Sequence, residues 1–521
     1  MTTIAIPPFK NEPFIDFTQP QSAKAMEEAI AKAKADLGRE YPLHIGPEKR
    51  FTDDKIVSVN PGDLDMVVGY VSKADRELAE EAMQAALAAF ESWKKVPAAE
   101  RAQYLLRAAK LMRERKLEFS AVMVLEAGKN YAEADVETAE AIDFLEFYAR
   151  EMIRLDSINE TMPLVQLAGE TNRLRYIPLG VGIIIPPWNF PNAICVGMTA
   201  AAIVAGNTVL LKPASTTPVM AHKFVELMEE VGLPAGVLNF VPGSGAEIGD
   251  YLTSHPKTRF ISFTGSKDVG LHISELAAKT AEGQIWIKRL VAEMGGKDGI
   301  VVDETADLDA AAQAIVTSAF GFQGQKCSAG SRAIIVESVY DAAVEKIIRL
   351  TNKLQIGLPE RNFPIGPVID KSSYEKIMGY IEIGKTEGKL LTGGGKAGGN
   401  GYYIQPTVFA DVDAKARIMK EEIFGPVLAI CKAKDYREAI AVYNDTEYGL
   451  TGSFFSQDDE RIAEALETMH CGNLYINRKC TGAMVGAHPF GGFNMSGTDS
   501  KAGGYDYLLL FTQAKATSVR K

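Results

Sequence analysis

The stretch that decides the fold is VGIIIPPWNFPNAICVGMTAAAIVAGNTVLL, residues 181–211. It opens with a continuous apolar, β-branched run that ends in two prolines, continues as a helical stretch that ends at Gly206, and closes with a second apolar run. A strand without polar alternation is typical of a parallel sheet covered on both faces. This stretch therefore predicts two buried strands joined by a helix.

The same alternation continues on the C-terminal side of this stretch. Short loops with Gly or Pro separate further strand-like and helix-like runs to about residue 266, and a second alternating series spans about 290–480. On the N-terminal side, residues 74–130 and 132–153 are helical in pattern. Strands that alternate with helices predict a doubly wound α/β fold.

Length and composition exclude several classes of protein. A chain of 521 residues predicts two or three domains. Its 56 Lys and Arg against 67 Asp and Glu give a net charge of −11, which argues against binding nucleic acid or an anionic membrane. Five cysteines and six histidines show no metal-ligand spacing, so no metal is expected. With no apolar N-terminal segment and no run of about 18 apolar residues, we expect a cytoplasmic protein.

The segment FGFQGQKCSAGSR, residues 320–332, is the first candidate for chemistry. Glycines before Cys327 let the backbone approach a ligand closely, and the neighbouring Lys326 can favour the thiolate. A free cysteine is usually a small buried apolar residue. This segment alone therefore leaves catalysis and packing about equally favoured.

Two further segments carry residues suited to the same chemistry. EMGGKD, residues 293–298, places Glu293 at a strand end, where a carboxylate can act as a general base toward water. PPWNFP, residues 186–191, places Asn189 at the exit of the buried strand, where its amide can donate to an oxyanion. Taken singly, an ordinary loop carboxylate and a turn-forming asparagine explain these residues better.

The conjunction of motifs resembles the aldehyde dehydrogenase superfamily. Seven motifs occur in the order and at the spacings of that family: PPWNFP (186–191), LKPAS (211–215), FTGSKDVG (263–270), EMGGK (293–297), FGFQGQKCS (320–328), EEIFGPV (421–427) and PFGGFNMSG (489–497). The resemblance implies a Rossmann-like cofactor domain, an α/β catalytic domain and a small β oligomerisation arm. On this basis the NAD-binding domain takes 1–154 and 179–292, the catalytic domain 293–487, and the arm and C-terminal tail 155–178 and 488–521.

The tail contains the apolar, strand-like run YLLLF, residues 507–511. Such a run is not expected to stay exposed. We expect it to pair with another subunit, which predicts a homodimer or a higher homo-oligomer.

Three longer segments resemble one branch of the family, which oxidises L-glutamate γ-semialdehyde in proline breakdown: GFQGQKCSAGSR (321–332), GNLYINRKCTGAMVG (472–486) and PFGGFNMSGTDSKAGGYDYLLLF (489–511). The resemblance implies NAD as cofactor and a separate proline dehydrogenase as a candidate partner. Three alternatives stay open: a dehydrogenase for another ω-semialdehyde, a non-catalytic protein on this fold, and an acylating enzyme that forms a CoA thioester. Glu293 disfavours the last of these.

Residue by residue, the resemblance implies a thioester mechanism. Cys327 attacks the aldehyde carbon to give a thiohemiacetal, while Asn189 and the backbone amide of Cys327 hold its oxyanion. After hydride transfer, Glu293 activates the water that hydrolyses the thioester.

The resemblance also implies a cofactor site. Lys212 and Glu422 are expected at the two riboses, and Gly265 with Ser266 opens a helix after a strand, which is a natural seat for a pyrophosphate. Many NAD-preferring relatives carry Glu where this chain has Ser215; since Ser does not repel a 2′-phosphate, we expect NAD to be preferred and NADP to be usable. The implied residues are Pro187, Trp188, Lys212, Ser215, Gly265, Ser266, Glu422 and Phe424.

The substrate residues follow from the same resemblance. Ser328 and two backbone amides take the α-carboxylate with Lys326 as a nearby charge, and two phenylalanines sandwich the aliphatic stem. Glu140 either faces the α-ammonium group or is a solvated acid on a helix face. The implied residues are Glu140, Phe190, Lys326, Ser328, Gly482, Ala483 and Phe490.

Overall fold

The computed structural model of the chain describes residues 7–520. Sixteen α-helices are assigned within that range: α1 Pro20–Lys34, α2 Arg76–Trp93, α3 Ala98–Glu114, α4 Lys116–Ala127, α5 Tyr131–Asp156, α6 Ile158–Thr161, α7 Ala193–Val204, α8 Pro218–Glu230, α9 Asp250–Ser254, α10 Lys267–Ala278, α11 Leu308–Phe320, α12 Tyr340–Thr351, α13 Lys371–Glu387, α14 Arg417–Lys420, α15 Tyr436–Asn444 and α16 Asp459–Thr468.

The strands of the described range are β1 Arg39–Tyr41, β2 Leu43–Ile45, β3 Glu48–Arg50, β4 Lys55–Val59, β5 Val67–Ser72, β6 Glu170–Pro178, β7 Val181–Ile185, β8 Thr208–Leu211, β9 Leu238–Phe240, β10 Thr258–Thr264, β11 Arg289–Glu293, β12 Asp298–Val302, β13 Gly330–Val336, β14 Lys389–Thr392, β15 Thr407–Ala410, β16 Val427–Ala433, β17 Tyr448–Gly449, β18 Thr451–Phe455, β19 Asn473–Ile476, β20 Phe493–Asn494 and β21 Thr512–Arg520.

The deciding stretch lies inside the first of two seven-stranded sheets. That sheet has the order β11-β10-β7-β8-β9-β2-β3, and its pairs from β11 to β9 are parallel. The helix α7 joins β7 to β8, and the chain later returns to β10 on the other side of β7. The loop after β7 therefore lies at the topological switch point, where open α/β sheets bind ligands.

The second sheet has the order β14-β15-β16-β13-β12-β18-β19, parallel except for the edge strand β14. The short segment 294–297 joins β11 of the first sheet to β12 of the second. The carboxyl end of one sheet thus meets the amino end of the other, and this junction holds the site. The alternating pattern predicted both sheets, and the predicted α/β fold class is confirmed.

The interpretation of YLLLF as a strand that pairs with another subunit is wrong. Tyr507–Phe511 form a 3-10 turn in which Tyr507, Leu508 and Phe511 are buried in the core of their own chain. The ring of Tyr507 stacks on Tyr148 of α5 at 5.5 Å, and Phe511 meets Phe260 of β10 edge-on at 5.4 Å. The apolar residues predicted burial correctly, but this aromatic pocket within the chain supplies it.

A two-stranded ribbon takes the remaining part of the tail. The strand β21 pairs antiparallel with β6 of the same chain, from Thr512 opposite Pro178 to Arg520 opposite Glu170. Most side chains of β21 are exposed. The domain boundaries given above stay a prediction. None of the helices in residues 7–520 is long and apolar enough to cross a membrane.

Candidate active site

A cavity of about 370 Å³ lies at the junction of the two sheets. It runs from the start of α10 to the loop after β7 and the turn before β13. Eight of the residues predicted for catalysis or cofactor binding line it together: Pro187, Trp188, Asn189, Gly265, Ser266, Cys327, Glu422 and Phe424.

Cys327 is presented by a left-handed turn. Phe322, Gln323 and Gly324 have φ values of 49°, 57° and 68°, so the chain bends sharply between α11 and the cysteine. A Cβ at Gly324 would lie 2.3 Å from the carbonyl oxygen of Gly425, which explains the glycine. Burial, and then the nearby carboxylates, raise the pKa of the Cys327 thiol, so the thiol is protonated at neutral pH in the isolated chain.

Asn189 links the switch-point loop to this turn. Its buried side-chain nitrogen Nδ2 donates a hydrogen bond to the carbonyl oxygen of Gln325 at 2.9 Å. A side-chain amide carries two N–H groups. One N–H therefore fixes the segment before Cys327, and the other is available to an oxygen in the cavity.

Glu293 ends β11 and lies beside this cavity rather than in its lining. Its Oε1 accepts a hydrogen bond from the hydroxyl of Ser500, and its Oε2 accepts one from the backbone N–H of Gly492 at 3.3 Å. Burial raises the pKa of Glu293 to about 8, although the Ser500 hydrogen bond opposes the shift. Sequence reasoning missed Ser500, because only the fold brings it to a residue more than 200 positions away.

The cofactor end of the cavity is built from a helix start and a tethered carboxylate. Ser266 caps α10, and its hydroxyl accepts the backbone N–H of Val269 at 3.4 Å. Glu422 accepts the backbone N–H of Gly296 at 2.9 Å, and a Cβ at Gly295 would lie 2.5 Å from its Oε2. These features fit a dinucleotide, since a helix start attracts a pyrophosphate and a fixed carboxylate can accept ribose hydroxyls.

Two of the predicted cofactor residues do not line this cavity. Lys212 is buried, and the loss of hydration lowers its pKa to about 8. Ser215 is exposed. Ala214, between them in sequence, does line the cavity. Sequence reasoning in turn missed Ser373 and Lys376 of α13, which line the cavity but occupy a polar helix face without a motif.

The predicted substrate residues lie outside this cavity. Lys326 is not a free charge, because its ammonium pairs with Glu133 of α5 at 2.7 Å. Lys479, which the sequence analysis did not single out, adds a second cation. Burial, and then repulsion from the ammonium of Lys326, lower the pKa of Lys479. A Cβ at Gly482 would lie 3.2 Å from the Cε of Lys479, so the predicted carboxylate loop borders this cationic group.

The remaining predicted substrate residues differ in burial and in their contacts. Ser328 is buried directly after Cys327, and Ala483 and Phe190 are half-buried. The backbone of Phe490 exchanges two hydrogen bonds with that of Ala502. These residues stay predicted substrate contacts.

Glu140 projects from α5 as a half-buried group. Burial, and then the neighbouring Glu137, raise its pKa to about 8. A fully solvated acid would not show this shift. Its role toward the substrate ammonium group stays a prediction.

No group of three or more His, Cys, Asp or Glu side chains that could hold a metal ion occurs among residues 7–520. The site itself combines the thiol of Cys327, the amide of Asn189 and the carboxylate of Glu293 near the carboxyl end of the first sheet. Together they suit attack on a carbonyl, oxyanion stabilisation and hydrolysis.

Comparison with known proteins defines the class to which this site belongs. The profile described as the aldehyde dehydrogenase family matches residues 49–517. The chain belongs to the aldehyde dehydrogenase family.

Particular relatives narrow the comparison. A protein of Geobacillus sp. (strain WCH70) named 1-pyrroline-5-carboxylate dehydrogenase is 61% identical over 514 residues, which cover 98% of this chain and 99% of the relative. The solved 1-pyrroline-5-carboxylate dehydrogenase from Thermus with bound NAD matches with a TM-score of 0.98 at 48% identity, over 99% of this chain and 100% of that one. Proline utilization A from Bdellovibrio bacteriovorus matches with a TM-score of 0.96 at 43% identity, over 98% of this chain and 53% of that one.

Proposed function

We propose that this chain oxidises L-glutamate γ-semialdehyde, the hydrolysed form of 1-pyrroline-5-carboxylate, to L-glutamate with NAD. The observation that carries the proposal is the cavity shared by Cys327, Asn189 and Glu422 at the switch point of the first sheet. The names of the relatives given above support the choice of substrate and cofactor.

In the proposed reaction, the Cys327 thiol first releases its proton to solvent. The thiolate sulfur then forms a bond to the aldehyde carbon while the carbonyl π bond opens toward the oxygen. The free N–H of Asn189 and the backbone N–H of Cys327 donate to the resulting oxyanion. NAD, when bound, supplies the acceptor for the hydride that leaves this carbon. Glu293 takes a proton from the water that attacks the remaining thioester, so that the carbon–sulfur bond breaks and the carboxylic acid is released.

The cofactor would be held by the residues at the far end of the cavity. Gly265 and Ser266 would receive the pyrophosphate at the start of α10, and Glu422 would accept a ribose hydroxyl. Pro187, Trp188 and Phe424 would form an apolar wall, since the rings of Trp188 and Phe424 meet edge-on at 5.5 Å. Ser215 is exposed and uncharged, so we propose that NADP is also usable.

The substrate would be anchored at its amino-acid end. Ser328, the amides of Gly482 and Ala483, and the cations of Lys326 and Lys479 suit an α-carboxylate. We also propose that Phe190 and Phe490 contact the aliphatic stem and that Glu140 faces the α-ammonium group.

The assembly we propose is a homodimer or a higher homo-oligomer that uses the ribbon of β6 and β21. An isolated two-stranded ribbon is marginally stable and leaves both edges unpaired, so pairing with a second copy would satisfy it. The substrate is the oxidation product of proline, and we propose a separate proline dehydrogenase as its source, in a cytoplasm that keeps the five free cysteines reduced.

One assay tests this function. We expect the purified protein to reduce NAD with 1-pyrroline-5-carboxylate much faster than with succinate semialdehyde or propanal, and the Cys327→Ala variant to be inactive. The Ser328→Ala variant should raise KM for 1-pyrroline-5-carboxylate far more than KM for propanal. Activity with succinate semialdehyde or propanal but not with 1-pyrroline-5-carboxylate would overturn the substrate, and activity with succinate semialdehyde would favour another ω-semialdehyde.

A further inference from the structure

A buried ion pair lies next to two loops of the site: the loop after β7, which contains Asn189, and the turn before β13, which contains Cys327. Lys129 stands between α4 and α5, directly after Gly128, which ends α4 with a φ of 70°. Its side chain is fully buried, as is that of Glu137, six residues after the start of α5. The Lys129 Nζ lies 2.6 Å from Oε2 of Glu137. Removing two charges from water is costly, and their attraction at this short distance offsets that cost.

The carboxylate of this pair holds the loop that carries Asn189. Its second oxygen, Oε1, accepts the backbone N–H groups of Asn192 at 2.7 Å and of Ala193 at 3.1 Å. These amides belong to the cap residue and the first residue of α7, where a negative charge also interacts favourably with the helix dipole. Glu137 therefore fixes the chain only three residues after Asn189.

The ammonium of this pair holds one ring from each loop. The Lys129 Nζ lies 4.1 Å from the ring centroid of Phe190 and 4.2 Å from that of Phe322. Phe190 follows Asn189 directly, and Phe322 belongs to the left-handed turn before Cys327. A desolvated cation between two aromatic faces is a strong, distance-sensitive contact.

We propose that Lys129 and Glu137 are positioning residues for the oxidation, acting by setting the Asn189 amide against the turn that carries Cys327. This inference rests on the proposed function. Neither side chain lines the cavity or meets the reacting atoms. Of the side chains on the two loops they hold, Asn189 is the one that can donate to the oxyanion, and its hydrogen bond to the Gln325 carbonyl joins the loops. An effect that passes through Asn189 lowers kcat, whereas an effect that passes through the proposed substrate contact Phe190 raises KM for 1-pyrroline-5-carboxylate.

A double-mutant cycle tests this role. We expect Asn189→Ala to lower kcat about 10²–10³-fold, and Lys129→Met to lower kcat about 10–100-fold by displacing that amide. If Lys129 acts through Asn189, adding Lys129→Met to Asn189→Ala should cost no more than about 3-fold further. The dissociation constant for NAD should change less than about 2-fold, since no cofactor contact is altered.

A buried lysine elsewhere provides the matched control. Lys288 is buried and donates to the carbonyl oxygen of Thr253 at 2.7 Å, away from both loops. We expect Lys288→Met to lose stability but to keep kcat within about 2-fold. Glu137→Gln keeps an oxygen that accepts the backbone N–H groups of Asn192 and Ala193, but it removes the charge that holds Lys129. The same double-mutant cycle is run with Glu137→Gln. If Lys129→Met does not fold, the Glu137→Gln cycle tests the positioning role.

The outcomes separate the two proposals. If the fold-loss of kcat in the double variant equals the product of the losses in the two single variants, the positioning role is overturned. The same follows if Lys129→Met and Glu137→Gln have the kcat of Lys288→Met. A wild-type protein without activity on 1-pyrroline-5-carboxylate would overturn the proposed function instead.

Discussion

Burial controls acid–base chemistry at the scale of single residues. The pKa of Glu293 is raised to about 8 and that of the Cys327 thiol is raised as well, in both cases chiefly because the charged form loses hydration. The reactive forms are the carboxylate and the thiolate. Turnover limited by either group should therefore rise with pH through neutrality rather than fall.

The hydroxyl of Ser500 is predicted to set the position of that rise. It donates to Glu293 and so favours the ionised carboxylate. The Ser500→Ala variant should raise the pKa of Glu293 and move the ascending limb of the kcat profile to higher pH by about one unit. The profile is measured from pH 6 to 10, with Ser500→Thr, which keeps a hydroxyl, as control. A limb that stays in place or moves to lower pH in Ser500→Ala contradicts the assignment.

Helix ends and tight turns place the functional groups at the scale of elements. The cap of α10 and the left-handed turn before β13 each put a backbone segment at the cavity. The sequence predicted the first, because Gly-Ser after an apolar strand is a helix start. It could not predict the left-handed turn, because Phe322 and Gln323 carry no local signature of a positive φ. Both residues are buried, and the ring of Phe322 contacts the ammonium of Lys129.

The cap of α10 yields a prediction for cofactor binding. The Ser266→Ala variant loses the hydrogen bond to Val269 and should cost about 1 kcal/mol of stability. Because the same helix start lines the cavity, KM for NAD should also rise several-fold with little change in kcat. Steady-state kinetics and thermal unfolding measure both effects.

A second helix cap separates stability from binding. Asp307 caps α11 by accepting the backbone N–H groups of Asp309 and Ala310, and it does not line the cavity. The Asp307→Ala variant should lose a similar amount of stability and leave KM for NAD unchanged. Equal KM values for NAD in the two variants would show that the start of α10 does not bind the cofactor.

At the scale of the whole molecule, a buried histidine pair makes stability depend on pH. The Nε2 atoms of His44 and His222 lie 2.9 Å apart, and Nδ1 of His44 lies 2.6 Å from Glu229. One of the two facing nitrogens must accept the shared hydrogen. Burial lowers the pKa of His222 to about 2 and lowers that of His44 as well.

This pair predicts acid sensitivity. Both folded-state pKa values lie below the unfolded value of about 6.5, so the unfolded chain binds more protons as the pH falls below that value. The contribution of the two histidines to the free energy of unfolding should be constant above about pH 7 and fall below 6.5 by up to about 1.4 kcal/mol per pH unit for each histidine. Glu293 and Glu140, whose pKa values are raised to about 8, contribute with the opposite sign over this range, so the histidine contribution is measured as the difference between wild type and a histidine variant. Denaturant unfolding between pH 5 and 8 measures this slope.

The variant His222→Gln should flatten the slope, because it removes the group with the strongest shift. His272 serves as control, since it forms an exposed pair with Asp250 and its loss should leave the slope unchanged. A His222→Gln variant with the same slope as wild type between pH 5 and 7 would contradict the buried pair.

The ribbon gives a prediction for assembly. Truncation after Phe511 removes β21 and leaves β6 without its partner strand. We expect the truncated chain to be monomeric in sedimentation experiments, while removal of Arg520 and Lys521 alone should keep the oligomer. An unchanged oligomer after truncation would show that the ribbon is not the interface.

The amino-acid sequence by itself determined the α/β alternation, the two sheets and the family, because apolar periodicity and motif order are local properties. Through the resemblance it also named eleven catalytic and cofactor residues, of which eight line the cavity. Only the tertiary structure decided the burial of YLLLF within its own chain, the Ser500 hydrogen bond to Glu293, and the Lys129–Glu137 pair behind Asn189. Each of these contacts joins residues that are distant in sequence or that belong to no motif. Such contacts form only when the helices and sheets pack together.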